Sequence, residues 1–583
     1  MIGKIVYMSS NKAHVEINEG IKLATNVMNL HVIFEDTNKK VLGEIEDIDK
    51  RIIKVKFLGE FVNNKFVGGV IRKPTMESVV RFINKDELPF ILGENNENTF
   101  NLGTSALYNN YPVTVNVNDF FSNHLAIFGN SGAGKSCGVA RVLQNIFVSP
   151  NFTPYRANVF IFDTYGEYHN AFSNFSQINP NYEFKYFTTN KNDTLGQPLQ
   201  IPLWLLGVDD IALLLNATEH AQLPIIERVL KLVRIFASSN ETAIKYKNHL
   251  IASAIMSILY TNQSATSKKN DIFNIFNSCT TEQFNPEATI QGVGYTRKFR
   301  ECFLINDRDN FSESVLLSEY VSSFIDESLE QYEENNNYYF TLEDLEKALN
   351  FAMISEGMMR NDKLYNSAVA LKVRLHSIII GEYAKYFNVP NYMEKDEFIA
   401  FLISKNNKKA QIINFNLEDV EDWFTKFVTK SMIKLLFDYV KNLPNRAVMP
   451  FHIFLEEAHR YIQQDSDTFL LGYNIFDRVA KEGRKYGLIL ALISQRPVEL
   501  SDTVVSQVAN FLIFKITHPL DLDYIKKMLP NISEEIVEKQ KGLQPGTCMA
   551  FGRAFKIPMI IKMALPDPLP SSSNCDIINL WKN

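Results

Sequence analysis

The sequence predicts an α/β protein in which a largely parallel sheet carries a long helical insertion and follows a small N-terminal β-barrel. Three observations lead there. Apolar runs of strand length recur at "LAIFG" (125–129), "ANVFIFD" (157–163), "AQIINF" (410–415), "FHIFLEE" (451–457), "GLILALIS" (487–494) and "FLIFKIT" (511–517), as strands covered on both faces require. Between about 207 and 400 the apolar residues instead fall at three and four spacing, the period of a helix face. Ahead of both, the first hundred residues hold short β-branched runs divided by polar turns.

A chain of 583 residues exceeds what one hydrophobic core usually supports. The boundaries expected are a barrel at 1–105, the first part of the α/β core at 106–206, the helical insertion at 207–405, the second part of the core at 406–565, and a tail at 566–583. With 46% hydrophobic and 22% charged residues the chain reads as folded throughout. Its net charge of −6 excludes a global basic field, so any contact with DNA must be local, in a pore or groove. The five cysteines are scattered and never form a CxxC pair, which points to a reducing compartment and away from a zinc module or disulfide framework. No signal peptide or membrane-length apolar run is visible, so the expectation is a soluble cytoplasmic protein.

In chain order, "KIVYM", "HVIFED", "KVLGEIEDI", "IIKVKFLGEF" and "GGVIRK" are the barrel strands. Such a module either binds a partner or merely caps the chain, and its residues leave both open. In the insertion, the helical segments are separated by polar breaks at "NQSATSKKND" near 263 and "YEENNNYY" near 332. Because strands resume at 410, these helices interrupt the α/β domain rather than follow it. A helix over 417–443 covers one face of the sheet. The Pro- and Ser-rich tail is expected to be extended, either a strap onto a neighbouring subunit or a fraying end.

"GNSGAGKS" fits G-x-x-x-x-G-K-[ST] with Gly129, Gly134, Lys135 and Ser136, directly between a buried strand and a helix. In such a loop the backbone N–H groups of Gly129, Asn130, Ser131, Gly132, Ala133, Gly134, Lys135, Ser136 and Cys137 face phosphate oxygens; Lys135 reaches the β and γ phosphates, and Ser136 holds Mg²⁺. The strand "FHIFL" runs into Glu456 and Glu457. A carboxylate there, Glu456, can hold the metal's water shell, and the next, Glu457, can polarise the attacking water. Downstream, "VAKEGRKYGLILALISQRP" offers Arg484, with Lys481 and Lys485 beside it, as an arginine reaching the γ-phosphate of the next subunit. The same residues also read as a solvated or DNA-facing basic helix end. Gln495, with Ser494 and Arg496, ends a core strand where a polar group can sense the γ-phosphate. Asp163, Gly166 and Glu167 are either acids near the nucleotide or a helix cap, and His124, His220 and His459 show no metal spacing.

With these motifs in this order, the chain resembles the HerA family of the HerA/FtsK hexameric P-loop ATPases. The strand-rich start looks like that family's HAS barrel, "FDTYGEY" like its motif after the second strand, "FLEEAHRY" like its Walker B, "KEGRKYGLILALISQRP" like its arginine-finger and sensor region, and "LQPGTCMAFG" like its closing strand. The resemblance implies a RecA-like core in a homohexamer that hydrolyses ATP with Mg²⁺ and passes duplex DNA through its pore. It also implies a separate effector, a nuclease or a sirtuin-like NAD hydrolase, held through the barrel in antiphage defence. On this reading Lys135, Glu457, Arg484 and Gln495 are catalytic, and Ser136 and Glu456 serve the metal. Glu456 stands where many relatives have Asp, and Lys481 where relatives often have Arg. The alternative is an ATP-gated ring that gathers and activates an effector without moving DNA.

Overall fold

The computed structural model describes residues 2–19, 27–63, 65–334, 336–355, 362–463, 467–528 and 539–571, with residues 577, 581 and 582. Its centre is a 12-stranded sheet in the order Gln197–Pro198, Phe184–Thr188, Ile412–Asn416, Val159–Asp163, Phe451–Leu455, Leu488–Ser494, Leu125–Phe128, Asn510–Ile513, Thr547–Gly552, Met559–Lys562, Thr99–Ser105, Pro112–Asn116. Neighbours are parallel as far as Asn510–Ile513 and antiparallel beyond it. All six apolar runs singled out above become strands of this sheet. The strand Phe184–Thr188, which lacks a comparably long apolar run, joins them by pairing with Ile412–Asn416.

The central strands are buried on both faces because successive side chains point opposite ways. Ala126 and Phe128 face one core with the long helix Asp422–Asn442 and the insertion, while Leu125 and Ile127 face the other with the helix Lys135–Phe147. The insertion runs through helices such as Gln222–Ala237, Glu241–Leu259, Leu342–Ser355 and Asp362–Ile380. Its apolar residues belong to the same core as Phe160 and Phe415 of the sheet, so it is an enlargement of the domain. The polar break expected near 263 separates two helices, and its later residues already belong to the second: the Ser264 side chain accepts from the Ser267 N–H and caps the helix Ala265–Ser278.

At the N-terminus a 7-stranded antiparallel sheet curls on itself. Its first and last strands, Gly3–Met8 and Val79–Phe82, meet where the Ile2 N–H donates to the Val80 carbonyl at 2.7 Å. Val15, Phe34, Val41 and Val55 fill its interior. "GGVIRK" does not form the expected strand; Gly69, at φ 86°, turns the chain away after Lys65–Gly68, and Val79–Phe82 takes its place. The strands Thr99–Ser105 and Pro112–Asn116 close the edge of the large sheet, so the large sheet already begins ahead of the boundary expected at 105. The two bodies are fastened there: Tyr108 OH accepts from the His31 N–H at 3.0 Å and lies 2.6 Å from the His31 ring, and Lys539 pairs with Glu44 at 2.7 Å.

From Leu565 to Ser571 the tail lies across its own loop-following helix. Arg141 donates to the Leu565 carbonyl at 3.2 Å, Gln144 exchanges hydrogen bonds with Asp567 and Pro568, and the Ser571 N–H donates to the Glu167 carbonyl at 2.7 Å. The strap expected on a neighbouring subunit therefore engages the same chain over these residues. Residues 572–576, including Cys575, and 578–580 lie outside the described residues. Cys137, Cys279, Cys302 and Cys548 are free thiols, and no described helix is long and apolar enough to cross a membrane.

Burial holds the His31 and His124 rings neutral, each at about 4 against an ordinary value of 6.5. Below pH ~6.5 the unfolded chain takes up protons that the folded chain refuses until about pH 4, so their contribution is complete above 6.5 and is lost on acidification. His31→Gln is expected to flatten the fall in melting temperature between pH 7 and pH 5 relative to the parent chain, as followed by differential scanning calorimetry.

Candidate nucleotide and catalytic site

The phosphate loop leaves the strand Leu125–Phe128 and enters the helix Lys135–Phe147. Gly132 and Gly134 hold φ of 72° and 96°, a region in which a side chain is strained. A Cβ on Gly134 would also lie 3.0 Å from the Gly546 nitrogen, whose N–H donates to the Ala133 carbonyl at 3.1 Å. The "QPG" turn of the closing strand thus props the loop from behind. Asn130 fixes the other limb, its N–H on the Lys515 carbonyl and its side chain on Thr517 at 2.6 Å. Lys135 is buried and donates to the Asn130 carbonyl at 3.1 Å. Burial lowers its affinity for a proton, and the charges of Glu457, Glu456 and Glu167 oppose that. Ser136 and Cys137 follow on the first turn; burial and Glu167 push the half-buried Cys137 thiol up.

Parallel register brings the acids to the same edge. Phe128 is level with Ser494, and Leu455 with Leu492, so Glu456, Glu457 and Gln495 all emerge beside the loop. Glu456 is 2% exposed, and its carboxyl accepts from Tyr168 OH at 2.5 Å. Burial, reinforced by Asp163, Glu167 and Glu457, raises its pKa well above the usual carboxylate range, against the hydrogen bond from Tyr168. Glu457 adopts φ 47°, a left-handed conformation uncommon for such a residue. One of its oxygens accepts from Gln495; the other, Oε2, is buried with no hydrogen-bond partner among the described residues and lies 3.3 Å from His459 Nδ1. An unsatisfied buried carboxylate oxygen is costly and points to a group that arrives with substrate.

Asp163 resolves one open choice. Its carboxylate accepts from the N–H groups of Glu167 and Tyr168 at 3.0 and 2.9 Å and from Asn414 at 3.2 Å, so it caps the "TYGEY" turn; burial raises it to about 6. That turn in turn carries Tyr168 to Glu456. Tyr168 and His459 are the site residues that sequence reading did not assign, because a lone Tyr or His within a motif is indistinguishable from a packing residue. His124 is such a packing residue, between the Ala480 carbonyl and the Leu490 N–H.

Arg484 stands elsewhere. It donates to the Ser122 carbonyl at 3.2 Å, at the start of the loop strand, and Lys481 is exposed on the same helix, Ile475–Tyr486. The strand separates them from the chain's own loop by on the order of 13 Å. Arg496 is paired with Glu499 at 2.7 Å.

A buried strand, a glycine loop capping a helix and strand-end carboxylates on a parallel sheet define a P-loop nucleotide-binding domain. Residues 100–292 match the family described as "Helicase HerA, central domain". The chain is 27% identical over 283 residues to the DNA double-strand break repair helicase HerA of Sulfurisphaera tokodaii, covering 48% of this chain and 55% of that one. It is 22% identical over 522 residues to the protein of the same name from Pyrococcus furiosus, covering 90% and 78%. Among solved structures it is similar to VirB4 of Thermoanaerobacter pseudethanolicus, with TM-score 0.41, 15% identity, and coverage of 81% of this chain and 98% of that one. Over residues 100–292 the chain is thus similar to the HerA central domain, and it spans about half the length of the first of these relatives.

Removing the Tyr168 hydroxyl leaves the buried Glu456 carboxyl short of a partner. Tyr168→Phe should destabilise the fold by about 1–3 kcal/mol, read as a lower urea midpoint at unchanged slope.

Proposed function

We propose that this chain hydrolyses ATP in a homohexameric ring that moves duplex DNA through its pore. The observation that carries the reading is the orphaned Oε2 of Glu457, held beside the phosphate loop by a left-handed backbone and by Gln495. Lys135 neutralises charge on the transferred phosphoryl group as the bond to the leaving oxygen breaks. Glu457 orients the attacking water and accepts its proton, and Gln495 ties that carboxylate to the strand next to the loop, so a change at the γ-phosphate is felt in the sheet. Residues Ser136 and Glu456 would hold Mg²⁺. The donor set fits: Glu456 is a buried carboxyl that a cation would keep ionised. Among the described residues no three candidate ligands cluster, so phosphate oxygens and water complete the shell. When bound, the ion screens the phosphate charge.

Arg484 acts on the nucleotide of the adjacent subunit. Its distance from its own loop supports this role over one in cis. The relatives named for DNA repair support DNA as the polymer moved. The net charge of −6 confines that contact to a local surface. A separate effector, a nuclease or a sirtuin-like NAD hydrolase, docks on the N-terminal barrel, and the assembly serves antiphage defence in the cytoplasm. The second reading is an ATP-gated scaffold for that effector, which the acidic net charge favours.

Glu457→Gln should retain ATP binding and lose at least 100-fold in kcat, and Lys135→Ala should lose both. Duplex DNA should raise the parent rate severalfold at low salt; a rate indifferent to DNA excludes the motor and leaves the scaffold. Arg484→Ala subunits mixed with Lys135→Ala subunits should regain part of the activity that each variant lacks alone, because one kind of interface between them holds an intact site; a residue acting in cis would restore none.

A further inference from the structure

A cavity of about 730 Å³ opens on the far side of the loop-following helix, between that helix and the antiparallel edge of the large sheet. None of the phosphate-loop residues 129–137 lines it. Its walls carry two cations, Arg141 from the helix and Lys562 from the strand Met559–Lys562, and no Asp or Glu. Amide and hydroxyl groups of Asn101, Asn145, Asn151 and Thr114 make up much of the rest.

Two of these groups lack partners. The Nε of Arg141 is buried without a hydrogen bond, although the same guanidinium donates to the Leu565 carbonyl at 3.2 Å. The Thr114 hydroxyl, on a residue only 9% exposed, is likewise unsatisfied. Both atoms lie beneath the cavity surface, so they mark a polar wall that is incompletely hydrogen-bonded. A planar guanidinium, a second cation across the gap and no competing carboxylate select an anion, and phosphate suits the guanidinium fork. The volume lies within the range of small-molecule sites and exceeds what a lone phosphate fills.

We propose that this cavity is a second anion site, distinct from the phosphate loop, that takes a phosphate-bearing small molecule of about mononucleotide size. Arg141 and Lys562 engage the phosphate, while the asparagines hydrogen-bond the remainder. Arg141 also holds the tail at Leu565, and the tail continues to Gln144 and to the Glu167 carbonyl beside the loop. Occupancy is thereby connected to the nucleotide site through one side chain and a short run of backbone.

The test uses the full chain carrying Lys135→Ala, which weakens the phosphate loop, and titrates AMP, inorganic pyrophosphate and inorganic phosphate by calorimetry. One saturable site per chain is expected for AMP or pyrophosphate, weakened at least tenfold by Lys562→Glu and by Arg141→Ala. Lys562 is exposed, so its variant keeps the test valid if Arg141→Ala fails to fold. AMP binding without pyrophosphate binding identifies a nucleotide as the ligand source; the converse identifies an inorganic polyphosphate. Absence of saturable binding by every probe at millimolar concentration overturns the proposal, as does binding that survives both pocket variants. Binding to the parent chain that disappears with Lys135→Ala alone also overturns it, by assigning the probe to the phosphate loop. None of these readouts needs ATP hydrolysis or DNA, so the site and the motor reading fail separately.

Discussion

Charge held out of water at one edge of the central sheet is the constraint on which the rest of the structure depends. Asp163, Glu456 and Glu457 are each no more than 3% exposed, and Lys135 is 6% exposed. The desolvation of such ions amounts to several kcal/mol apiece and is offset only by close partners of fitted geometry. Asp163 has two backbone N–H groups and an amide, Glu456 has Tyr168, and Glu457 has Gln495. Fixing those partners requires neighbouring strands in one register, and burying them requires both sheet faces to be covered.

The peripheral parts follow from that requirement. The insertion contributes to the same apolar core as the sheet, closing one face of it, while the loop-following helix closes the other. The barrel is seated by Tyr108 and Lys539 at the opposite, antiparallel end, where Ile33, Leu42 and Phe66 of the barrel enter the core of the loop-following helix. The barrel is therefore packed continuously onto the core that carries the phosphate loop. The tail also reaches this region, over Gln144 to Glu167.

Much of this was legible in the chain itself, for reasons particular to each element. The six apolar runs were visible because strands covered on both faces cannot tolerate polar interruptions. Phe184–Thr188 was missed because Lys185 breaks its pattern; its ammonium escapes the core by donating to the Phe401 and Ser404 carbonyls, a contact supplied by residues more than two hundred positions away. The polar break near 263 does separate two helices, but its later residues already belong to the second, because cap residues and loop residues share a composition. The edge strands Thr99–Ser105 and Pro112–Asn116 follow the barrel strands in sequence without a composition break, and only their pairing tells the two sheets apart.

By itself the sequence determined the phosphate loop, the paired glutamates and the alternation of buried strands with helices, since glycine spacing, strand-end charge and hydrophobic period are local properties that burial and backbone sterics impose directly. Only the tertiary structure decided which acid caps a turn and which faces the loop, that Tyr168 and His459 stand beside the glutamates, that Arg484 donates to the Ser122 carbonyl ahead of the loop strand, and that the tail returns to its own helix. Those outcomes depend on strand register and on contacts between residues far apart in the chain, where a one-residue shift would turn the same side chains to the other face.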